Sequence, residues 1–286
     1  MPTAKAGEVS LYYAEAGSGR TAVFVHGIPT DYRAWAAQMG PFSEGRRIVA
    51  LSRRYAAPNV REGDVSDSTI QNNAADLKGL IENLGGGAVD LVGHSYGGFA
   101  SAYLAAKNGD LVKSLVLVEP AVSTFLVADQ KSASQLLGLL LRSPSVALSG
   151  RRFQNGSLKP SLKALGEGNA ALATELNVDG VQDMRGAYAK LPEETKRMML
   201  DNARTIAELN TTFPRFTAAE ASRIACPTIV VNGESSALWL RRIGALMTQA
   251  IPGSKGVTIS RARHFPHMEN PEEFNSQVLA FLEGVP

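Results

Sequence analysis

Three stretches of this 286-residue chain bring together residue types that can carry acyl chemistry. Leu91-Val92-Gly93-His94-Ser95-Tyr96-Gly97-Gly98 runs apolar residues into Gly-x-Ser-x-Gly and then at once into a helical segment. Such a tight turn strains the serine's backbone and needs small neighbours two residues away. It also lifts the hydroxyl above the strand end, near the positive end of the next helix. Ser95 is therefore the candidate nucleophile. Phe24-Val25-His26-Gly27-Ile28-Pro29 ends an earlier apolar run. Acyl transfer needs two N–H donors aimed at the developing oxyanion. Pro29 has no N–H, so the Ile28 amide is the candidate donor on this loop, with the Tyr96 amide after the nucleophile as the other. Arg263-His264-Phe265-Pro266-His267 brings two imidazoles after the last apolar strand. A base must follow the nucleophile in the chain and sit on a loop at the same sheet edge, and His264 fits better than His267. His26 belongs to the oxyanion loop and His94 to the turn itself.

The elements that must position these groups alternate. Apolar runs at Val9–Ala14, Thr21–Val25, Ile48–Leu51, Val89–Val92, Val112–Val118, Thr228–Val231 and Val257–Ser260 read as strands, and Gly17-Ser18-Gly19 reads as the turn of an N-terminal hairpin. Thr69–Leu84, Phe99–Ala106, Ala237–Ala250 and Pro271–Leu282 carry helical spacing, with Pro271 at a first turn. This alternation is the signature of an α/β fold with a mostly parallel sheet and helices on both faces. It breaks between about 121 and 216, where only helical candidates occur: Ser132–Leu141, Ala170–Leu176 and Glu193–Leu209. The expected organisation is a core of residues 1–120 and 217–286 with a helical cap inserted at 121–216.

The chain resembles an α/β-hydrolase with a helical cap over essentially its whole length. The resemblance is carried by His26-Gly27-Ile28-Pro29, by Gly93-His94-Ser95-Tyr96-Gly97-Gly98, and by His264 followed by Glu269-Asn270-Pro271 and Phe274. It implies an eight-stranded-type sheet and a cofactor-free enzyme that cleaves esters, lactones or other acyl bonds. Ser95 would be the nucleophile, His264 the base, and the Ile28 and Tyr96 amides the oxyanion hole. Relatives of the haloalkane dehalogenase and epoxide hydrolase kinds use an Asp nucleophile, so Ser95 argues against both chemistries. One departure concerns the acid. Relatives usually carry an Asp after the strand placed here at Thr228–Val231, but Gly233-Glu234-Ser235-Ser236 puts Ser236 at that position. Leu115-Val116-Leu117-Val118-Glu119 ends the preceding strand in a carboxylate, and some members carry the acid there. Glu119 is the expected acid and Glu234 its alternative. A second departure, Ser52-Arg53-Arg54-Tyr55, offers a basic pair that reads as a solvated surface, with a pocket mouth favouring an anionic substrate as the alternative.

Charge and composition remove other classes. Lys and Arg exceed Asp and Glu by 29 to 27 with no clustered basic run, so no nucleic-acid footprint is expected. The single Cys226 cannot close an intramolecular disulfide and reads as an inert thiol. No secretory leader is visible at the start. The longest apolar cluster, Leu136-Leu137-Gly138-Leu139-Leu140-Leu141, is far shorter than the roughly 20 residues of a membrane span, so a cytoplasmic protein is expected. That cluster is either an apolar lid over substrate or packing within the cap. The expected function is a serine esterase or lactonase acting on a small molecule without metal or cofactor. The same residues would serve C–C hydrolysis of a β-diketone, perhydrolysis, acyl transfer, or a slow-turnover ligand receptor. Oligomeric state is not legible.

Overall fold

The computed structural model describes residues 2–59, 62–85, 87–129 and 131–285. Among them eight strands form one sheet: β1 (Thr3–Ala6), β2 (Val9–Ala16), β3 (Arg20–Val25), β4 (Arg46–Leu51), β5 (Val89–His94), β6 (Val112–Val118), β7 (Thr228–Gly233) and β8 (Lys255–Ile259). The spatial order is β1-β2-β4-β3-β5-β6-β7-β8. β1 and β2 are antiparallel to their neighbours, and every pairing from β4 through β8 is parallel. The helices are α1 (Ala36–Ser43), α2 (Ile70–Leu84), α3 (Ser95–Lys107), α4 (Ala133–Arg142), α5 (Pro144–Phe153), α6 (Lys159–Gly166), α7 (Ala170–Val181), α8 (Glu193–Asp201), α9 (Ala218–Ala221), α10 (Leu238–Ala250), α11 (Pro266–Glu269) and α12 (Pro271–Glu283).

Parallel strands are buried on both faces, and successive side chains here feed two different cores. Val23, Val25, Leu91, Leu115, Leu117 and Val230 pack with Leu77 and Leu80 of α2, Phe99 of α3 and Ile243 of α10. Ala22, Phe24, Val92, Val116, Val118 and Val231 pack instead with Phe42 of α1 and with Phe274, Val278 and Leu282 of α12. Trp35 is fully buried in the second core, against Phe24 and Phe274. The chain leaves β3 for β4 on one side and returns to β5 on the other. The carboxyl ends of β3 and β5 thus flank a topological switch point, where α/β sheets place their ligands.

Four details differ from the pattern read in the sequence. Gly17 and Gly19 do not close a hairpin between β2 and β3. Both have positive φ, +75° and +105°, and they carry the chain across the start of β4, where a Cβ at Gly17 would come within 2.6 Å of the Ser43 carbonyl. β4 then pairs with β2 on one side and β3 on the other, and the hairpin is β1–β2. α3 begins at Ser95 itself, four residues earlier than its apolar spacing suggests. The helix expected over Glu193–Leu209 breaks at Asn202, whose side chain donates to Asp31 and to the Met198 carbonyl and accepts from the Ala57 amide, each at 2.7 Å. The Leu136–Leu141 cluster buries no residue of α4, and Leu137 and Leu141 are 56% and 76% exposed, so its apolar edge faces outward. No helix among the described residues is long and apolar enough to cross a membrane.

At the amino end of the sheet the fully buried Asp90 ties four strands together. It accepts from Arg20 Nε at 2.9 Å, Arg46 Nε at 3.3 Å and Ser114 Oγ at 2.7 Å. Removing one member of a buried pair leaves the remaining charge without compensation. Asp90→Ala is therefore expected to lose on the order of 3 kcal/mol of stability in urea unfolding, with turnover per folded molecule unchanged. A loss below about 1 kcal/mol would show that the two arginines find water or other acceptors as readily.

Candidate active site

The tight turn between β5 and α3 places Ser95 at φ +52°, in the left-handed region that side chains with a Cβ seldom occupy. The surrounding glycines make this possible. A Cβ on Gly93 would come within 2.9 Å of Gly98 Cα, and one on Gly97 would meet the Val25 carbonyl at 2.7 Å. A Cβ on Gly27 would lie 2.8 Å from that of Ser95, so the loop after β3 is pressed directly against the turn.

Three side chains from three strand ends meet there. Ser95 Oγ donates to His264 Nε2 at 3.0 Å, and His264 Nδ1 lies 3.4 Å from Glu119 Oε2. Their residue exposures are 7%, 1% and 0%, so the group is enclosed. Glu119, one residue beyond β6, also has positive φ, +47°. Its Oε1 accepts from the Gly233 amide at 2.7 Å, Ser236 Oγ at 2.7 Å and Asn232 Nδ2 at 2.9 Å, which leaves Oε2 to face the imidazole. Ser236, at the position where an Asp was sought, is thus a donor to the carboxylate on the neighbouring strand. Glu234 is exposed, and its Oε2 accepts from the Arg261 amide at 3.0 Å, which turns it away from His264.

The other histidines are held neutral. His267 is packed against Trp35 at 4.3 Å between ring centroids and is fully buried, which pushes its pKa down to about 3. Burial, followed by the nearby His267 and His264, lowers His94, whose Nε2 donates to the His264 carbonyl at 2.7 Å. Burial and then Arg53 lower His26. Its Nε2 accepts from the Arg53 amide at 2.9 Å, so Nδ1 carries the proton and donates to the Gly27 carbonyl at 2.7 Å. Thr30 Oγ1 donates to the same carbonyl at 3.2 Å. In a trans peptide the C=O and the following N–H point in opposite directions, so these two contacts turn the Ile28 amide to the other side of the loop. Tyr96 is the second residue of α3, with its hydroxyl donating to the Ser68 carbonyl at 2.5 Å.

The helical stretch after β6 reaches this region through buried polar contacts. Arg53 Nη1 donates to Glu208 at 2.6 Å and to Asn73 at 3.1 Å, and its guanidinium lies 4.8 Å above the Tyr96 ring. Burial pushes the Glu208 carboxyl up, while Arg53 pulls it down. Arg54 is bound by Asp76 at 2.8 Å and Asp67 at 3.0 Å, and Asp67 also accepts from the Tyr55 hydroxyl. The two arginines are therefore neither a solvated surface nor a free cationic mouth: both are buried and each is matched by a carboxylate. A cleft of about 600 Å³ opens on the seam between residues 63–69 and the helical stretch, lined among others by Thr69, Leu165, Arg204 and Thr211. Its lining does not include Ser95, His264 or Glu119.

The arrangement can take a proton from a serine hydroxyl, hold the resulting imidazolium beside a carboxylate, and keep both out of bulk water. Sequence reasoning missed Asn232, Ser236, Gln182 and Glu269 as the groups that fix the trio. Ser236 and Glu269 carried a signal, since one stood at the vacant acid position and the other lay within the quoted Glu-Asn-Pro segment. Asn232 and Gln182 carried none.

Known proteins place the chain in context. It is 25% identical to an epoxide hydrolase 3 of Xenopus tropicalis over 96% of this chain and 75% of that protein. It is 26% identical to a 2-hydroxy-6-oxononadienedioate/2-hydroxy-6-oxononatrienedioate hydrolase of Paraburkholderia xenovorans over 96% and 91%. A thermophilic esterase of Thermogutta terrifontis shares the fold, with a TM-score of 0.69 at 24% identity over 97% of this chain and 94% of that one. A sequence model of the alpha/beta hydrolase family matches residues 22–277, and with the eight-stranded sheet this shows that the chain belongs to the alpha/beta hydrolase family.

Proposed function

We propose that the protein is a serine hydrolase that cleaves a carboxylic ester or lactone through an acyl-enzyme on Ser95. The observation that carries the reading is the unbroken line from Ser95 Oγ to His264 Nε2 at 3.0 Å and from His264 Nδ1 to Glu119 Oε2 at 3.4 Å. Ser95 attacks the carbonyl as His264 takes its proton, and Glu119 holds the tautomer and balances the imidazolium. The Ile28 and Tyr96 amides receive the oxyanion, and the turned Gly27 carbonyl supports that role for Ile28. His264 then protonates the leaving alcohol and activates water. No cofactor takes part in these steps. Residues 121–216 act as a cap that shields the acyl-enzyme.

Hydrolysis of a C–C bond in a β-diketone is the second reading, favoured by the similarity to the dienedioate hydrolase of Paraburkholderia xenovorans. It uses the same trio, with a carbanion in place of the alcohol as leaving group. Similarity to an epoxide hydrolase does not support epoxide opening here. A serine alkoxide opening an epoxide would form an ether that water does not cleave, whereas a carbonyl substrate leaves an ester that water does.

A fluorophosphonate probe is expected to label Ser95 alone, and p-nitrophenyl esters to turn over in the wild type but not in Ser95→Ala. Peptide mapping of the adduct to another serine, Ser236 included, would defeat the assignment. Running a diketone panel beside the esters separates the two readings by which class has the higher kcat/KM.

Glu119→Gln is expected to lower kcat by about 10²–10⁴, while Glu234→Gln loses less than about tenfold. Folded variants with the opposite ranking would return the acid to Glu234.

His264→Ala should abolish acylation, whereas His267→Phe should retain most of it. His267 also sets an acid dependence of stability. Its folded pKa of about 3 lies below the ordinary 6.5. Its stabilising share is thus complete above 6.5 and is lost as pH falls from there toward 3, because the unfolded chain takes up the proton first. The difference in stability between wild type and His267→Phe should therefore shift steadily toward the variant over that interval. A gap that stays constant with pH would show that His267 takes up its proton as readily in the folded protein as in the unfolded chain.

A further inference from the structure

We propose that Gln182, just past the end of α7, is a positioning residue for the base: it makes the alignment of His264 depend on the helical stretch lying closed against the sheet. The proposal deepens the acyl-enzyme reading and rests on it. Three consecutive amides after β8 end on two side chains. Glu269 Oε2 accepts from Arg263 N at 2.7 Å and Phe265 N at 3.2 Å, and Gln182 Oε1 accepts from His264 N at 3.1 Å. Gln182 Nε2 then donates to Glu269 Oε1 at 2.9 Å and closes the ring. Arg263 Nη1 seals the junction by donating to the Gln182 and Ser235 carbonyls, each at 3.1 Å. From the other side, His94 Nε2 holds the His264 carbonyl at 2.7 Å.

The two holders differ in what they depend on. Glu269 lies five residues on, at the end of the short α11 that continues this loop, and stays with it wherever the helical stretch goes. Gln182 is 82 residues away in sequence and reaches His264 only while α7 sits on the sheet edge. It is 2% exposed, so a displaced or truncated side chain leaves a buried N–H without an acceptor. The imidazole is already at the limit of good geometry toward Glu119, at 3.4 Å. A misplacement of about 1 Å in such a group costs about 10²-fold in rate. The base is therefore fully formed only under a closed cap, which confines serine activation to the state in which substrate is shielded. The amide is also the required group, since it accepts from His264 with one atom and donates to a carboxylate with the other.

The test compares wild type, Gln182→Leu and the exchanged pair Gln182→Glu/Glu269→Gln, each as the full chain. It reads kcat and KM on a p-nitrophenyl ester and the rate of fluorophosphonate labelling at Ser95. Leucine keeps the bulk and removes the hydrogen bonds. The exchange restores every donor and acceptor, because a carboxylate at 182 still accepts from His264 N and an amide at 269 still donates across. Gln182→Leu is expected to lower kcat and labelling together by about 10–100-fold, with KM within about threefold, and the exchange to recover both to within about threefold of wild type. Wild-type kcat in Gln182→Leu, a change confined to KM or Tm, or an exchanged pair as slow as the leucine variant would overturn the proposal. A wild type that the probe does not label at Ser95 would instead overturn the acyl-enzyme reading beneath it.

Discussion

The steric constraint at Ser95 governs the rest of the site. With φ at +52°, the serine is held in a conformation that costs about 1–3 kcal/mol, and it persists because β5 on one side and α3 on the other are buried in a continuous core. The glycines around it do more than tolerate the turn. Gly97 lets β3 end against the helix start, and Gly27 lets the loop after β3 lie on the serine itself. Once the hydroxyl is fixed in this way, the imidazole of His264 and the carboxylate of Glu119 are brought to it. Glu119 repeats the solution on the next strand, with φ +47° and the Val231 carbonyl accepting its amide at 2.8 Å. Two neighbouring strands thus end in strained residues that present side chains to the same imidazole.

Burying a carboxylate at the end of β6 carries a desolvation cost, and neutral donors surround Glu119 there. No cation faces the buried Glu119 carboxylate among its described contacts. Hydrogen bonds to water lost on burial are replaced instead by the Gly233 amide, the Ser236 hydroxyl and the Asn232 amide, all on one oxygen. With three donors gathered on Oε1, the other carboxylate oxygen is left to face the His264 ring. The serine at position 236 is thereby explained by Glu119 rather than by the chemistry of the base. Buried polar pairing recurs between the loops at the sheet edge and the helical stretch after β6, where Arg53 forms an ion pair with Glu208 and the Asn202 amide donates to Asp31.

Much of this was legible before any coordinates. The glycines around Ser95 and the late histidine stood out through rules of backbone and chain order, and the carboxylate just after β6 through the family resemblance; the structure brings Ser95, His264 and Glu119 together. What escaped the sequence depended on partners far along the chain. The Gly17–Gly19 turn has hairpin residues, but the insertion of β4 beside β2 decides its use. β1 is a four-residue edge strand with little apolar character, and Asn202 breaks a helix for contacts with Asp31 and Ala57. Arg53 and Arg54 read as a solvated pair, or at most a pocket mouth, because their carboxylates, Glu208 and Asp76, are not their neighbours in sequence. Gln182 was invisible for the same reason.

The account stands on a covalent intermediate at Ser95, and rapid-quench mass spectrometry with a fast p-nitrophenyl ester tests it most directly. The predicted result is a burst of about one equivalent of p-nitrophenol per chain, with the acyl mass on the peptide containing Ser95 and accumulation lost in His264→Ala. Turnover without burst or adduct in Ser95→Ala at the wild-type rate, or an acyl group mapped to a different residue, would contradict it.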